Sequence, residues 1–266
     1  MLGRNIGQSC SCAEQGTAQK LRHQNEECTF SLGALLVKIF LDTANLDEIR
    51  QGVSLGVVDG VTTNPTLVAK ENKPFKEHIL EICDALKGGV VNAEVVSTDT
   101  EGILREAREI ATWHPNVIVK IPMIPDGVRA LHILSKEGIR VNVTLVFSAT
   151  QALLVAKVGA YFVSPFLGRL DDISENGLVL LRDIMEIYRA YNFSTQVLAA
   201  SLRHPIHVIE AAKMGAHIGT MPYKVFQQLF QHPLTDKGLQ GFLKDWEKAR
   251  EVLGNIVEPA ARKVGR

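Results

Sequence analysis

The sequence predicts an α/β protein, a single (β/α)8 TIM barrel with one additional C-terminal helix, and three observations carry that expectation. After residue 36, eight short apolar, β-branched runs alternate with longer amphipathic stretches, and eight β-then-α units are the number that closes a parallel barrel. The 266 residues suit one such domain, which fills about 200–250 residues. The polar residues of the chain gather where the apolar runs end, the place where a barrel carries its chemistry.

The runs fall in order at Lys38–Leu41, Val57–Val61, Val90–Val95, Val117–Ile121, Arg140–Leu145, Tyr161–Ser164, Gln196–Ala199 and His217–Thr220. Each is rich in Val, Ile, Leu or Phe and short enough for a strand. Helical patterns separate them: Leu46–Leu55, Phe75–Leu86, Thr100–Trp113, Gly127–Lys136, Ser148–Val158, Leu178–Tyr191, His204–Met214 and Lys224–Phe230. A doubly wound open sheet is the competing fold, but no G-x-G-x-x-G follows the first strand. A further helix over Asp236–Leu253 carries an apolar stripe of Leu239, Phe242, Leu243 and Trp246. That stripe suits either a barrel end or a neighbouring subunit.

Composition changes near residue 36. Residues 1–36 are rich in Gln, Ser, Gly, Cys and charge without a period, so an N-terminal extension, disordered in solution, is expected there, with the barrel over 37–266. A translation start at Val37 would leave those 36 residues outside the natural protein. Lys plus Arg equals Asp plus Glu at 29 each, and apolar residues make up 46%. That balance leaves no basic excess to hold nucleic acid or an anionic membrane surface. A small anionic substrate needs only a few well-placed cations. No apolar run reaches a membrane span, and Met1 to Glu27 has no apolar h-region of a secretory signal. The cysteines, Cys10, Cys12, Cys28 and Cys83, do not make a disulfide framework, which points to a reducing cytoplasm. Cys10, Cys12, His23 and Cys28 match no usual zinc spacing, so no metal is expected.

At the strand ends stand Asp42, then Thr62, Thr63 and Asn64, Glu94, Lys120, Asn142 with Thr144, Ser164 with Arg169 beyond it, and Ser201 with Arg203. Asn142 and Thr144 alternate along one strand and share a face. Each singly could be a hydrogen-bonded core residue or a cap, but together they converge on one barrel mouth. Lys120 is the sharpest signal, because the rest of its strand, Val117-Ile118-Val119-Lys120-Ile121-Pro122, is apolar. Either the amine snorkels to water, or it is desolvated. Desolvation disfavours an ammonium and frees the lone pair to attack a carbonyl. Asp42 and Glu94 then offer the acid and base groups that imine chemistry requires. Arg169 and Arg203 are candidates for a phosphate clamp, or else surface ion pairs.

At these residues the chain resembles the transaldolase family, in its short form close to fructose-6-phosphate aldolase. The resemblance rests on Phe40-Leu41-Asp42-Thr43-Ala44, Val61-Thr62-Thr63-Asn64-Pro65-Thr66, Asn92-Ala93-Glu94-Val95, Ile118-Val119-Lys120-Ile121-Pro122, Asn142-Val143-Thr144-Leu145, Ser164-Pro165-Phe166-Leu167-Gly168-Arg169 and Ala199-Ala200-Ser201-Leu202-Arg203. It implies ketose phosphate substrates, no cofactor, and a Schiff base on Lys120. By the same resemblance Glu94 and Thr144 hold a proton-carrying water, and Asp42 takes the C4 hydroxyl proton. Asn64, Asn142 and Ser164 are implied around the dihydroxyacetone part, Arg169, Ser201 and Arg203 at the phosphate, and Thr62 and Phe166 among the other substrate-binding residues. The resemblance also implies a homo-oligomer, a ring-shaped decamer, acting in the pentose phosphate pathway. Simple aldolase members resemble this chain but carry glutamine at the Glu94 position and tyrosine at the Phe162 position. Glu94 and Phe162 therefore favour transfer over aldol cleavage. A non-catalytic sugar-phosphate-binding barrel is the alternative from another class.

Overall fold

The closing contact of the sheet is the pairing of Lys38 with Ile218, which joins the first strand to the last. The computed structural model describes residues 37–253. The extension expected over residues 1–36, with Cys10, Cys12, His23 and Cys28, lies outside the described residues. Eight parallel strands close in sequence order: β1 Lys38–Asp42, β2 Gly60–Thr62, β3 Val90–Glu94, β4 Val117–Pro122, β5 Val141–Val146, β6 Phe162–Pro165, β7 Gln196–Ala199 and β8 Ile218–Met221. The helices are α1 Leu46–Ser54, α2 Pro65–Ala69, α3 Phe75–Leu86, α4 Thr100–Trp113, α5 Pro125–Lys136, α6 Ala149–Val158, α7 Leu167–Asp171, α8 Gly177–Ala190, α9 Pro205–Met214, α10 Tyr223–Gln228 and α11 Pro233–Leu253. The fold is the (β/α)8 barrel with a C-terminal helix that the sequence predicts.

Several boundaries move for local reasons. The second strand opens at Gly60 rather than Val57, because the carboxylate of Asp59 accepts the Ile39 N–H at 2.9 Å and Val57 stays exposed. Two short helices appear that no periodicity could announce. One is α2, which Asn64 caps by accepting the Leu67 N–H at 3.0 Å, with Pro65 at its first position. The other is α7, five residues long without a side-chain cap. The last helix starts at Pro233 rather than Asp236.

Strand alternation divides the apolar residues into two sets. Odd-numbered residues such as Val61, Val91, Val119 and Val143 pack outward against the helices. Phe40, Ile118, Phe162, Leu198 and Ile218 fill the lumen. Gly60 makes that lumen layer possible, since a Cβ there would lie 2.5 Å from the Phe40 ring and 2.7 Å from the Val90 carbonyl oxygen. Small barrels fill their interior by setting small residues against large ones. Above this apolar floor the same inward face turns polar, and the site begins there.

Helix α11 does not settle its own stripe. Leu234, Leu239, Phe242 and Leu243 are 70%, 57%, 76% and 56% exposed. Among the described residues no helix is long and apolar enough to cross a membrane.

Candidate active site

Lys120 is 4% exposed on β4. Its amine lies 2.9 Å from Glu94 Oε2 and donates to the Thr63 carbonyl at 3.0 Å. Glu94 pairs with Lys120 in register between β3 and β4, so neighbouring strands present both charges to the lumen at one height. The snorkelling alternative fails on burial: this amine reaches a carboxylate and a carbonyl instead of bulk water.

Asp42 closes β1 opposite Thr62. The Thr62 hydroxyl donates to Asp42 Oδ1 at 2.8 Å and lies 2.7 Å from the Thr220 hydroxyl. Desolvation pushes the Asp42 carboxyl above the usual carboxylate range, against the opposing pull of Lys120, the Thr62 hydroxyl, Arg169 and Arg203. On β5 the register slips: Val143 pairs with Val163, but Val146 pairs with Pro165. Thr144 and Leu145 thus oppose Ser164 alone, a β-bulge, with Leu145 at φ 59°. Among the described residues the buried Thr144 hydroxyl has no hydrogen-bond partner.

Two adjoining cavities, about 190 Å³ and 420 Å³, share Asp42, Asn64, Lys120, Phe166 and Arg169 in their walls. The smaller adds Thr62, Ser164, Ser201 and Arg203, and the larger adds Glu94 and Thr144. Of the residues that the family resemblance assigns to the chemistry or to substrate, only Asn142 lies off both walls. It is fully buried, donates to Asn92 Oδ1 at 2.9 Å and accepts the Ser164 hydroxyl at 2.8 Å. Its place is under the site, orienting Ser164.

Phe162 also needs correction. It faces inward as expected, but it is 1% exposed in the apolar floor, edge-on to Phe40 at 6.5 Å. The ring that meets both cavities is Phe166. Alternation along a strand decides which face a residue takes, not how deep in the barrel it sits. Phe166, not Phe162, is therefore the aromatic wall of the cavities.

The arginines come from separate elements. Arg169, on α7, places its guanidinium 5.1 Å from the Phe166 ring centroid, and among the described residues it has no carboxylate partner. Arg203 pairs with Asp172 at 2.7 Å, both half exposed. An exposed pair of that kind is worth about 0–1 kcal/mol. Gly168 lets the two elements meet. A Cβ there would stand 2.1 Å from the Ser201 carbonyl oxygen and 2.5 Å from Arg203 Nε. Ser201 itself adopts φ 60°.

One backbone carbonyl and two side chains escaped the sequence reading. The Thr63 carbonyl holds the lysine, Asn92 supports Asn142, and Thr220 closes the ring from β8. Asn92 had a signal, its two-residue spacing from Glu94. A backbone carbonyl has none. Among the described residues no group of His, Cys, Asp and Glu is arranged to hold a metal ion.

Comparison with known proteins is consistent with this geometry. The transaldolase/fructose-6-phosphate aldolase family profile matches residues 39–253. A probable transaldolase of Kosmotoga olearia is 58% identical over 218 residues, which cover 82% of this chain and 100% of that protein. A probable transaldolase of Herpetosiphon aurantiacus is 57% identical over 212 residues, 80% of this chain and 96% of the relative. Among solved structures, a flavocytochrome b2 variant with pyruvate bound superposes at a TM-score of 0.53 with 13% identity, covering 83% of this chain and 65% of that one. That last likeness concerns the fold alone.

Proposed function

The chain belongs to the transaldolase/fructose-6-phosphate aldolase family and is an enzyme of the transaldolase type, and on that premise we propose that it carries a dihydroxyacetone unit between sugar phosphates as a Schiff base on Lys120. The observation that carries the proposal is the Lys120 amine, buried in an apolar strand between a carboxylate and a carbonyl. The donor is sedoheptulose 7-phosphate or fructose 6-phosphate. Glu94, at 2.9 Å, takes the proton the ammonium must release, and the free amine attacks C2. A water between Glu94 and the Thr144 hydroxyl carries protons as the carbinolamine loses its hydroxyl. Asp42 then removes the C4 hydroxyl proton while the C3–C4 electron pair moves into the protonated imine. The aldose phosphate departs, the enamine attacks an incoming erythrose 4-phosphate or glyceraldehyde 3-phosphate while Asp42 returns its proton to the new C4 hydroxyl, and water hydrolyses the resulting imine to free the ketose phosphate and Lys120.

Thr62 orients Asp42, and Asn64 and Ser164 face the three-carbon unit. Arg169, Ser201 and Arg203 take the phosphate. The setting is the pentose phosphate pathway in the cytoplasm. The exposed stripe of α11 docks on a neighbouring copy in a homo-oligomer, a decamer by the family resemblance.

Paired initial rates, with and without acceptor, test the transfer. Transfer to erythrose 4-phosphate should exceed dihydroxyacetone release at least about tenfold, since each decade needs only about 1.4 kcal/mol between the two barriers. Equal rates would favour the aldolase reading. Phe166→Tyr should shift the ratio toward release, because its hydroxyl enters the cavity and holds a second water. Phe162→Tyr should instead cost about 1–3 kcal/mol of stability by burying an unpaired hydroxyl against Phe40, read as a lowered Tm with the ratio unchanged.

Arg203→Ala tests the phosphate site. It should raise KM for glyceraldehyde 3-phosphate by roughly one to two decades, the worth of a charge-assisted contact, and barely alter KM for unphosphorylated glyceraldehyde. Equal effects on both would place Arg203 outside the site.

A further inference from the structure

Arg169 and Arg203 can grip one phosphate only if α7 and the turn between β7 and α9 keep a fixed distance. Backbone bonds supply part of the link: Leu167 N–H to the Ala200 carbonyl at 3.0 Å and Gly168 N–H to the Ser201 carbonyl at 3.1 Å. The exposed Arg203–Asp172 pair adds a weak tie, and a buried one passes through a side chain that lines neither cavity. His207 of α9 is 4% exposed. Its Nδ1 accepts the backbone N–H of Arg203 at 3.2 Å, and its Nε2 lies 2.7 Å from Asp171 Oδ2 on α7. The other Asp171 oxygen accepts the Gly177 N–H at 2.9 Å, tying the same carboxylate to α8.

An imidazole accepts at Nδ1 and donates at Nε2 only as the neutral Nε2–H tautomer. Its surroundings favour the neutral ring. Burial, then the tilted His204 ring at 3.9 Å, and last the Arg203 charge press the pKa down, while Asp171 pulls the other way.

We propose that His207, oriented by Asp171, is a positioning residue for the phosphate end of the cavity: it clamps the Ser201–Arg203 turn to α7 so that both guanidiniums address one anion. The proposal rests on the phosphate reading of Arg169, Ser201 and Arg203. The clamp acts through tautomer choice. In Asp171→Asn the amide oxygen can keep the Gly177 N–H, but its NH2 then faces Nε2 and makes that nitrogen an acceptor. The proton moves to Nδ1, where it confronts the Arg203 N–H, donor against donor. With the amide reversed, the Gly177 contact fails instead.

The test is a KM comparison among three variants, with Arg203→Ala alongside. Asp171→Asn and His207→Gln, which lacks an acceptor at the Nδ1 position, should raise KM for glyceraldehyde 3-phosphate about tenfold, the order that misplacing a binding group by a fraction of an ångström produces. KM for unphosphorylated glyceraldehyde, and kcat with either acceptor, should stay within about threefold. His207→Asn keeps an oxygen near the Nδ1 position and should recover part of the loss. Nitrogen-15 spectra of the histidine ring should show the Nε2–H tautomer in the native enzyme at pH 7 and the Nδ1–H form in Asp171→Asn. If Arg203→Ala raises KM selectively and neither Asp171→Asn nor His207→Gln does, the clamp is refuted and the phosphate site stands. If Arg203→Ala is itself unselective, the phosphate reading falls and the clamp with it. A native ring protonated at Nδ1 would overturn the proposal even if every variant failed to fold.

Discussion

Lys120→Arg is expected to abolish the borohydride-trapped adduct and to lower transfer by roughly three orders of magnitude or more, the scale seen when a covalent nucleophile is removed. Guanidinium stays protonated at any working pH and attacks carbonyls poorly. Arginine is a better choice than an apolar residue because Glu94 would otherwise lose its partner at 2.9 Å. Breaking a buried ion pair from one side costs about 3–5 kcal/mol, and a misfolded variant would say nothing about chemistry. Arginine keeps the charge, and its extra bulk costs about 1–3 kcal/mol in a packed lumen, which a melting curve will report separately. Incubation of the native enzyme with fructose 6-phosphate and borohydride should leave a reduced three-carbon unit on Lys120, mapped by peptide mass. An adduct on another lysine would sink the assignment, and no adduct at all would favour a binding barrel without catalysis.

Asp42→Asn should lower transfer by about two to four decades, the usual worth of a positioned general base, while leaving Tm unchanged or higher. Because the fold raises the Asp42 carboxyl above its ordinary range, chiefly by desolvation, the ionised form is the one the native state disfavours. Its contribution to stability is then fully present below the ordinary carboxylate pKa and is lost as pH rises through the raised native value. Asparagine removes that cost and still accepts the Thr62 hydroxyl, which bonds Oδ1 at 2.8 Å. The same shift has a kinetic face. A base must be ionised to act, so the acid limb of kcat/KM should lie above the ordinary carboxylate range and vanish in the variant. A fall of several degrees in Tm, or an acid limb at the ordinary position, would show that Asp42 is held as a stabilising anion instead.

The barrel, its lysine and most of the ring around it were legible in the chain. Strands and longer helices are read from periods of two and 3.6, which are local properties. An amine isolated among Val117, Ile118, Val119 and Ile121 is conspicuous without any structure. Polar residues recurring at the ends of successive apolar runs point to one mouth because a parallel barrel leaves them no other place to gather.

Depth and partnership were not legible, since both are set between strands. The two-residue period turns Asn142, Thr144, Phe162 and Ser164 inward alike. Register and the bulge at Thr144–Leu145 then place Thr144 and Ser164 on the cavity walls, and leave Asn142 and Phe162 off them. No local pattern announces α7, whose five residues are too few for a period. Its place depends on Gly168 meeting Ser201 and on Asp171 meeting His207, residues more than thirty positions apart. By itself the sequence determined the fold class, the lysine set in an apolar strand and the identity of its charged neighbours, because an amine among apolar residues and alternation along that strand are written in adjacent residues. Only the tertiary structure decided which inward residues line the cavities and which support those that do. Height in a tilted, closed barrel comes from the pairing of each strand with its neighbours, and that pairing exists only once the ring has closed.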